Sequence, residues 1–87
     1  ILGMMKNKNH QEYIEYFKDV HSITTIDIPN QPGAIKGIEL KNKINGFLNV
    51  QYKKSITEAI SSIALKENEI ILITGSLYLT GEILKLN

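Results

Sequence analysis

The chain has 87 residues and a mass of 9.8 kDa, with 43% hydrophobic residues, 22% charged residues and a formal net charge of +1. That length admits one domain, near the size where a single core becomes marginal, and the apolar content with balanced charge excludes a disordered chain. The absence of Cys excludes a disulfide scaffold, a thiolate metal site and a cysteine nucleophile.

All ten basic residues are Lys and none is Arg, beside fifteen Ile and three Ala, a skew that fits an A+T-rich coding source. It argues against a nucleic-acid partner, because bidentate guanine contacts are usually made by Arg. No apolar run approaches the roughly 18 residues of a membrane helix, and no signal-peptide pattern is present. The expected compartment is the cytoplasm, with no membrane partner.

Ile1 to Met5 reads as a strand ending at the polar turn Lys6-Asn7-Lys8. Asn9 precedes Glu12 at capping spacing, and Tyr13, Ile14, Phe17 and Val20 follow at helical spacing, predicting a helix over His10–Asp19. Ser22 to Ile28 is rich in β-branched residues and predicts a strand. It stops at Pro29-Asn30-Gln31-Pro32-Gly33, a loop stiffened by two prolines. Lys36 to Asn45 predicts a helix whose first turn Gly37 weakens. Leu48, Val50 and Tyr52 alternate as in a short strand.

Ser55-x-x-Glu58 is a capping box, followed by an apolar face of Ile56, Ala59, Ile60, Ile63 and Ala64. Ile70-Ile71-Leu72-Ile73-Thr74 reads as a strand covered on both faces. Gly75-Ser76 then turns into a last helix over Leu77–Leu86. The predicted order is β-α-β-α-β-α-β-α, in one unit over residues 1–87 with no repeat or linker. Such alternation predicts a three-layer α/β fold with a mostly parallel sheet.

Ligands of open parallel sheets bind beyond the carboxyl ends of the strands. Three loops qualify: Lys6 to Asn9, Pro29 to Gly33, and Gly75-Ser76. In the last, a buried strand feeds Gly-Ser at a helix start. There the serine either faces an anion with the free backbone N–H groups or simply caps its own helix. His10 and His21 lack a third ligand at metal spacing and read as surface polar residues. Asp19 and Asp27 form no acidic cluster for Mg²⁺. Lys6, Lys8, Lys53 and Lys54 read as solvated, and Tyr13, Tyr16 and Phe17 as core or core-edge packing. No phosphate-binding loop, dinucleotide fingerprint or Ser/His/Asp constellation is present, so the chain has no complete catalytic apparatus of its own.

Thr74-Gly75-Ser76-Leu77-Tyr78-Leu79-Thr80-Gly81-Glu82-Ile83 resembles the T-G-S-L-Y-L-x-G-E-V segment near the end of folylpolyglutamate synthases and bifunctional dihydrofolate synthases. Leu2-Gly3-Met4-Met5-Lys6-Asn7-Lys8-Asn9 is similar to their F-G-M-L-x-D-K-D turn. Ile28-Pro29-Asn30-Gln31-Pro32-Gly33-Ala34 resembles their x-P-x-x-P-R-A loop. The three segments occur in family order and span nearly the whole chain. Gly33 stands where the family usually has Arg, Asn9 where Asp is usual, and Asn7 where Asp is frequent. An ionic role of those positions does not carry over.

The resemblance implies a Rossmann-like domain of the Mur-ligase superfamily, whose members are ATP-dependent amide ligases. In the family an N-terminal ATPase domain activates a pteroate or folate carboxylate as an acyl phosphate, using ATP and Mg²⁺, and L-glutamate then attacks. The C-terminal domain closes over the nucleotide and helps hold the glutamate. This chain matches the latter part of that C-terminal domain; both the phosphate-binding loop and the family's D-G-A-H-N-P segment are absent from it. With Ile rather than Met at position 1, it is expected to be a piece of a larger ligase, inactive alone. Of the site residues only Ser76, with Gly75, carries over, as a glutamate contact. A cell-wall Mur ligase and a stand-alone, non-catalytic α/β binding module are the competing readings; the Leu-Tyr-Leu after Ser76 disfavours the first.

Overall fold

A computed structural model describes residues 1–44, 49–66 and 69–76. The elements are α1 (His10–Ile14), continued by a 3-10 turn over Glu15–Phe17, β1 (Ile23–Thr25), α2 (Gly37–Lys43), β2 (Val50–Tyr52) and α3 (Ile56–Ser62). The chain is an α/β fold around a two-stranded parallel sheet in which Ile23, Thr24 and Thr25 pair with Val50, Gln51 and Tyr52.

Single bridges extend this sheet. Leu2 lies parallel to Thr25 on one side and to Thr74 on the other. Its backbone N–H donates to the Thr24 carbonyl at 2.8 Å and its carbonyl accepts from Ile26 at 3.0 Å, while Thr74 donates to Ile1 at 3.0 Å. The spatial order is therefore β2, β1, the Leu2 segment, the Thr74 segment. The expected first and fourth strands are present as bridged, extended segments rather than full strands.

Apolar side chains sort into two clusters by the alternation of extended chain. Leu2, Met4 and Ile23 join Ile14 of α1 and Leu40 of α2. Ile26 and Ile28 join Ile56 and Ala59 of α3, with Ile1, Met5 and Ile73 packed against them. The residue period of two thus feeds helices on either side from the same extended segments.

The helices are shorter than their patterns suggest. Asn9 caps α1 through its side-chain oxygen, accepting from the Glu12 N–H at 3.1 Å. The helix then tightens to 3-10 geometry at Glu15 and ends at Phe17, two residues before the expected limit at Asp19. Ser55 caps α3 as the capping box predicts, accepting from the Glu58 N–H at 3.1 Å. Of its expected apolar face only Ile56 and Ala59 are buried; Ile60 is 40% exposed.

The run at Ile70–Ile73 departs further from expectation. It is not covered on both faces: Ile70 is 90% and Leu72 51% exposed, while Ile71 and Ile73 are half-buried. Ile70 and Leu72 line a cavity of about 520 Å³ together with Phe17, Val20, Ile63 and Leu65. The expected helix over Leu77–Leu86, and Leu48 of the third strand, lie outside the described residues. Among the described residues no helix is long and apolar enough to cross a membrane.

Candidate functional site

The chain leaves the Leu2 segment through α1 to β1, continues through α2 to β2, then crosses back to Thr74 on the far side of Leu2. The order of connection thus reverses between Leu2 and Thr74. A reversal of this kind opens a crevice beyond the carboxyl ends of the two adjoining segments. A cleft of about 360 Å³ is found there, lined by Met4, Lys8, Asn9, Glu12, Tyr13, Tyr16 and Gly75.

Two of the three predicted loops meet in this cleft. Lys8 and Asn9 come from the first and Gly75 from the third. The Pro29–Gly33 loop stands behind the first instead. Lys6 donates to the Gly33 carbonyl at 2.8 Å and Ile35 to the Met4 carbonyl at 3.0 Å, and Met5 bridges antiparallel to Ala34. Pro29 and Asn30 form one turn, with Asn30 at φ 61°, a left-handed conformation that Asn tolerates. Gln31 to Ala34 form a second, closed by the Ala34 N–H on the Gln31 carbonyl at 3.0 Å. The loop is therefore a support for Met5 and Lys6.

Gly75 adopts φ +117°, and a Cβ there would collide with the Gly3 carbonyl oxygen and come within 3.0 Å of Leu2 Cδ1. Only glycine combines that backbone conformation with so close an approach. Ser76 follows, half-buried and bonded within the structure, but it is Gly75 that reaches the cleft wall.

Tyr13, Tyr16 and Glu12 were not among the residues the sequence pattern assigns to a site. Tyr13 does pack against the core, with its ring 5.4 Å from that of Phe17, yet its hydroxyl lies 2.6 Å from Thr74 Oγ1. Tyr16 is no core residue: it is 81% exposed at the cleft rim. Positions 9, 12, 13 and 16 share one face of a helix, so the signal is there once Asn9 is taken as part of a site.

Charge in the cleft is mixed. Glu12 Oε2 accepts from Asn9 Nδ2 at 3.0 Å. Among the described residues Lys8 makes no ion pair, the one salt bridge being Lys18–Glu15 on the surface. Lys8 thus leaves a cation available to a carboxylate or phosphate at the cleft mouth.

The histidines separate. His21 is exposed, whereas His10 is 6% exposed and its Nε2 donates to the Met5 carbonyl at 2.9 Å, so the expected surface position is wrong for His10. Its ring folds back beneath the preceding turn because it occupies the first position of α1. Asp27 accepts from the Gly37 N–H at 2.7 Å and from the Tyr52 hydroxyl at 2.6 Å, a structural anchor for α2. Among the described residues no three His, Cys, Asp or Glu side chains stand together as a metal site.

Comparison with protein-family models, with curated proteins and with solved structures returned no significant match.

Proposed function

We propose that this chain is the latter part of the C-terminal domain of an ATP-dependent ligase that joins L-glutamate to dihydropteroate or (tetrahydro)folate. The observation carrying this reading is the convergence of the three motif-like segments. Met4, Lys8 and Asn9 of the first segment and Gly75 of the third, some seventy positions apart in the sequence, line one cleft, and Gly33 and Ala34 of the second buttress it. The two apolar clusters and the order β2, β1, Leu2, Thr74 agree with a three-layer Rossmann-like domain, mostly parallel, with its crevice at the reversal.

In the intact enzyme, phosphoryl transfer from ATP to the folate or pteroate carboxylate gives an acyl phosphate and ADP. The glutamate amine then attacks the acyl carbon. The C–N bond forms, the C–O bond to phosphate breaks, and inorganic phosphate leaves as the amine loses a proton. The role of this chain is orientation. The Gly75–Ser76 turn holds glutamate so that its amine is aligned with the acyl carbon, an entropic contribution to rate. Closure of the domain keeps water from the acyl phosphate. ATP and Mg²⁺ belong to the N-terminal ATPase domain of such an enzyme. No metal step is assigned to the described residues, which offer no donor set for one.

The test is Ser76→Ala in the intact ligase, with an expected rise in glutamate KM larger than any in ATP KM. Unchanged glutamate kinetics would remove Ser76 from the site. The reading frame upstream of Ile1 separates the rival classes. A continuous frame carrying D-G-A-H-N-P and, further up, G-x-x-G-K-[ST] supports the ligase. A stop followed by a start at Met4 or Met5 supports a stand-alone binding module.

A further inference from the structure

The Tyr13 hydroxyl and Thr74 Oγ1, 61 positions apart in the chain, stand 2.6 Å from each other. We propose that Tyr13 is a positioning residue whose hydroxyl, through Thr74, fixes the Gly75–Ser76 turn relative to α1 and so sets the width of the cleft. For its kinetic consequence this rests on the glutamate reading; for its structural consequence it does not.

Both partners are held independently of the bond between them. The Tyr13 ring is fixed by the core cluster and by Phe17, on a helix whose start Asn9 caps. The Thr74 backbone is held on one side by its N–H to Ile1 at 3.0 Å and by the Gly3 N–H to its carbonyl at 3.3 Å. What these contacts leave unset is the side-chain link between α1 and the residue immediately before the positive-φ glycine. The hydroxyl bond supplies that link. A planar, two-torsion side chain packed along its ring against the core is a stiff strut, so the 2.6 Å bond transmits the position of α1 to the turn.

The hydroxyl is also redundant for core formation. Phe at position 13 would bury the same ring, and the helix would remain anchored by Ile14, which is 2% exposed. Tyr13 and Gly75 both line the cleft, so the bond lies where a small shift changes ligand geometry rather than core volume. Displacement of the turn would misplace a bound amine relative to its electrophile, to which rates are steeply sensitive.

The test compares variants of the 87-residue chain by amide NMR and hydrogen exchange. Tyr13→Phe should move the Gly75 and Ser76 resonances and speed their exchange by about three- to tenfold, the size expected for one net hydrogen bond. The amide of Ala59 in α3 should be unaffected. Thr74→Val should reproduce this pattern, Thr74→Ser should restore the native one, and the double variant Tyr13→Phe/Thr74→Val should add nothing further. Gly75 and Ser76 amides unchanged in Tyr13→Phe would overturn the proposal. So would a uniform loss of protection that includes Ala59, which would make Tyr13 a general stability contact. In the intact ligase, Tyr13→Phe should raise glutamate KM by about the same factor and leave ATP KM unchanged. If the native enzyme performs no glutamate ligation while the amides respond as expected, the ligase reading fails and the positioning role stands.

Discussion

The Tyr52 hydroxyl donates a 2.6 Å hydrogen bond to Oδ2 of Asp27, while the other oxygen of that carboxylate accepts from the Gly37 N–H at 2.7 Å. One side chain just beyond β1 therefore ties down both the end of β2 and the start of α2. Thr25 completes the arrangement, its hydroxyl donating to the Gly37 carbonyl at 2.7 Å. Lys36, the residue preceding α2, provides no side-chain cap, so Asp27 takes that role from another element.

The hydrogen bond to Asp27, reinforced by partial burial and by the nearby carboxylate charge, pushes the Tyr52 phenol up from 10.0 to about 12. The protonated form is thus favoured in the folded chain. Its stabilisation is fully present below the ordinary tyrosine value near 10 and is lost as pH rises through about 12. Absorbance titration should show a phenol component ionising at about pH 12, and Tyr52→Phe should remove that component. The stability difference between native chain and Tyr52→Phe should stay constant from neutral pH to about pH 10 and shrink between there and about pH 12. A high-pH titration left unchanged by Tyr52→Phe would contradict the bond.

Asp27→Ala should cost about 1–3 kcal/mol, because it leaves the Gly37 N–H and the Tyr52 hydroxyl without their acceptor. The loss should concentrate in α2, read as faster amide exchange there. Equal loss in α3 would argue against Asp27 as the local anchor.

Gly75→Ala combines a positive φ with a collision against the Gly3 carbonyl. Backbone strain alone is worth about 1–3 kcal/mol, a large share of the stability of so small a domain. Gly33→Ala is the control. Its Cβ would meet only Met5 Cε, at 2.9 Å, the movable end of a flexible side chain. Denaturant midpoints should fall sharply for the first variant and change by less than about 1 kcal/mol for the second.

Ser55→Ala removes the oxygen that accepts from the Glu58 N–H at 3.1 Å. A lost N-cap costs about 1 kcal/mol, which lowers the Tm of a chain this size by roughly 4–8 °C. Ser55→Asp should retain most of the stability. Equal damage from both variants would assign Ser55 a packing role instead.

His10→Leu should destabilise the chain by about 1–2 kcal/mol, since it removes the 2.9 Å bond to the Met5 carbonyl from a buried position. His21→Leu, on the exposed surface, should change stability by less than about 0.5 kcal/mol. The comparison by urea denaturation tests directly whether the two histidines differ.

Both N-caps were legible in the sequence, because Asn9 with Glu12 and Ser55 with Glu58 are local pairs whose geometry the helix itself imposes. The support given by Asp27 to Gly37 was not legible. Gly37 reads as a weak helix start, yet a Cβ there would come within 2.8 Å of the Ile26 carbonyl carbon and closer still to the Tyr52 ring, so the helix begins where only glycine fits against these neighbours. The same holds for the cleft. Its three candidate loops follow from strand ends, but which two share it depends on the order of the segments, and sequence periodicity carries no neighbour information.

By itself the sequence determined where α1 and α3 start and which turns follow the extended segments. These are short-range properties, set by backbone sterics and by side chains a few positions apart. Only the tertiary structure decided that Leu2 lies between Thr25 and Thr74, that Tyr13 meets Thr74, that His10 is buried and that Ile70 is not. Each depends on packing between residues distant in the chain, where shape and hydrogen-bond satisfaction outweigh local preference.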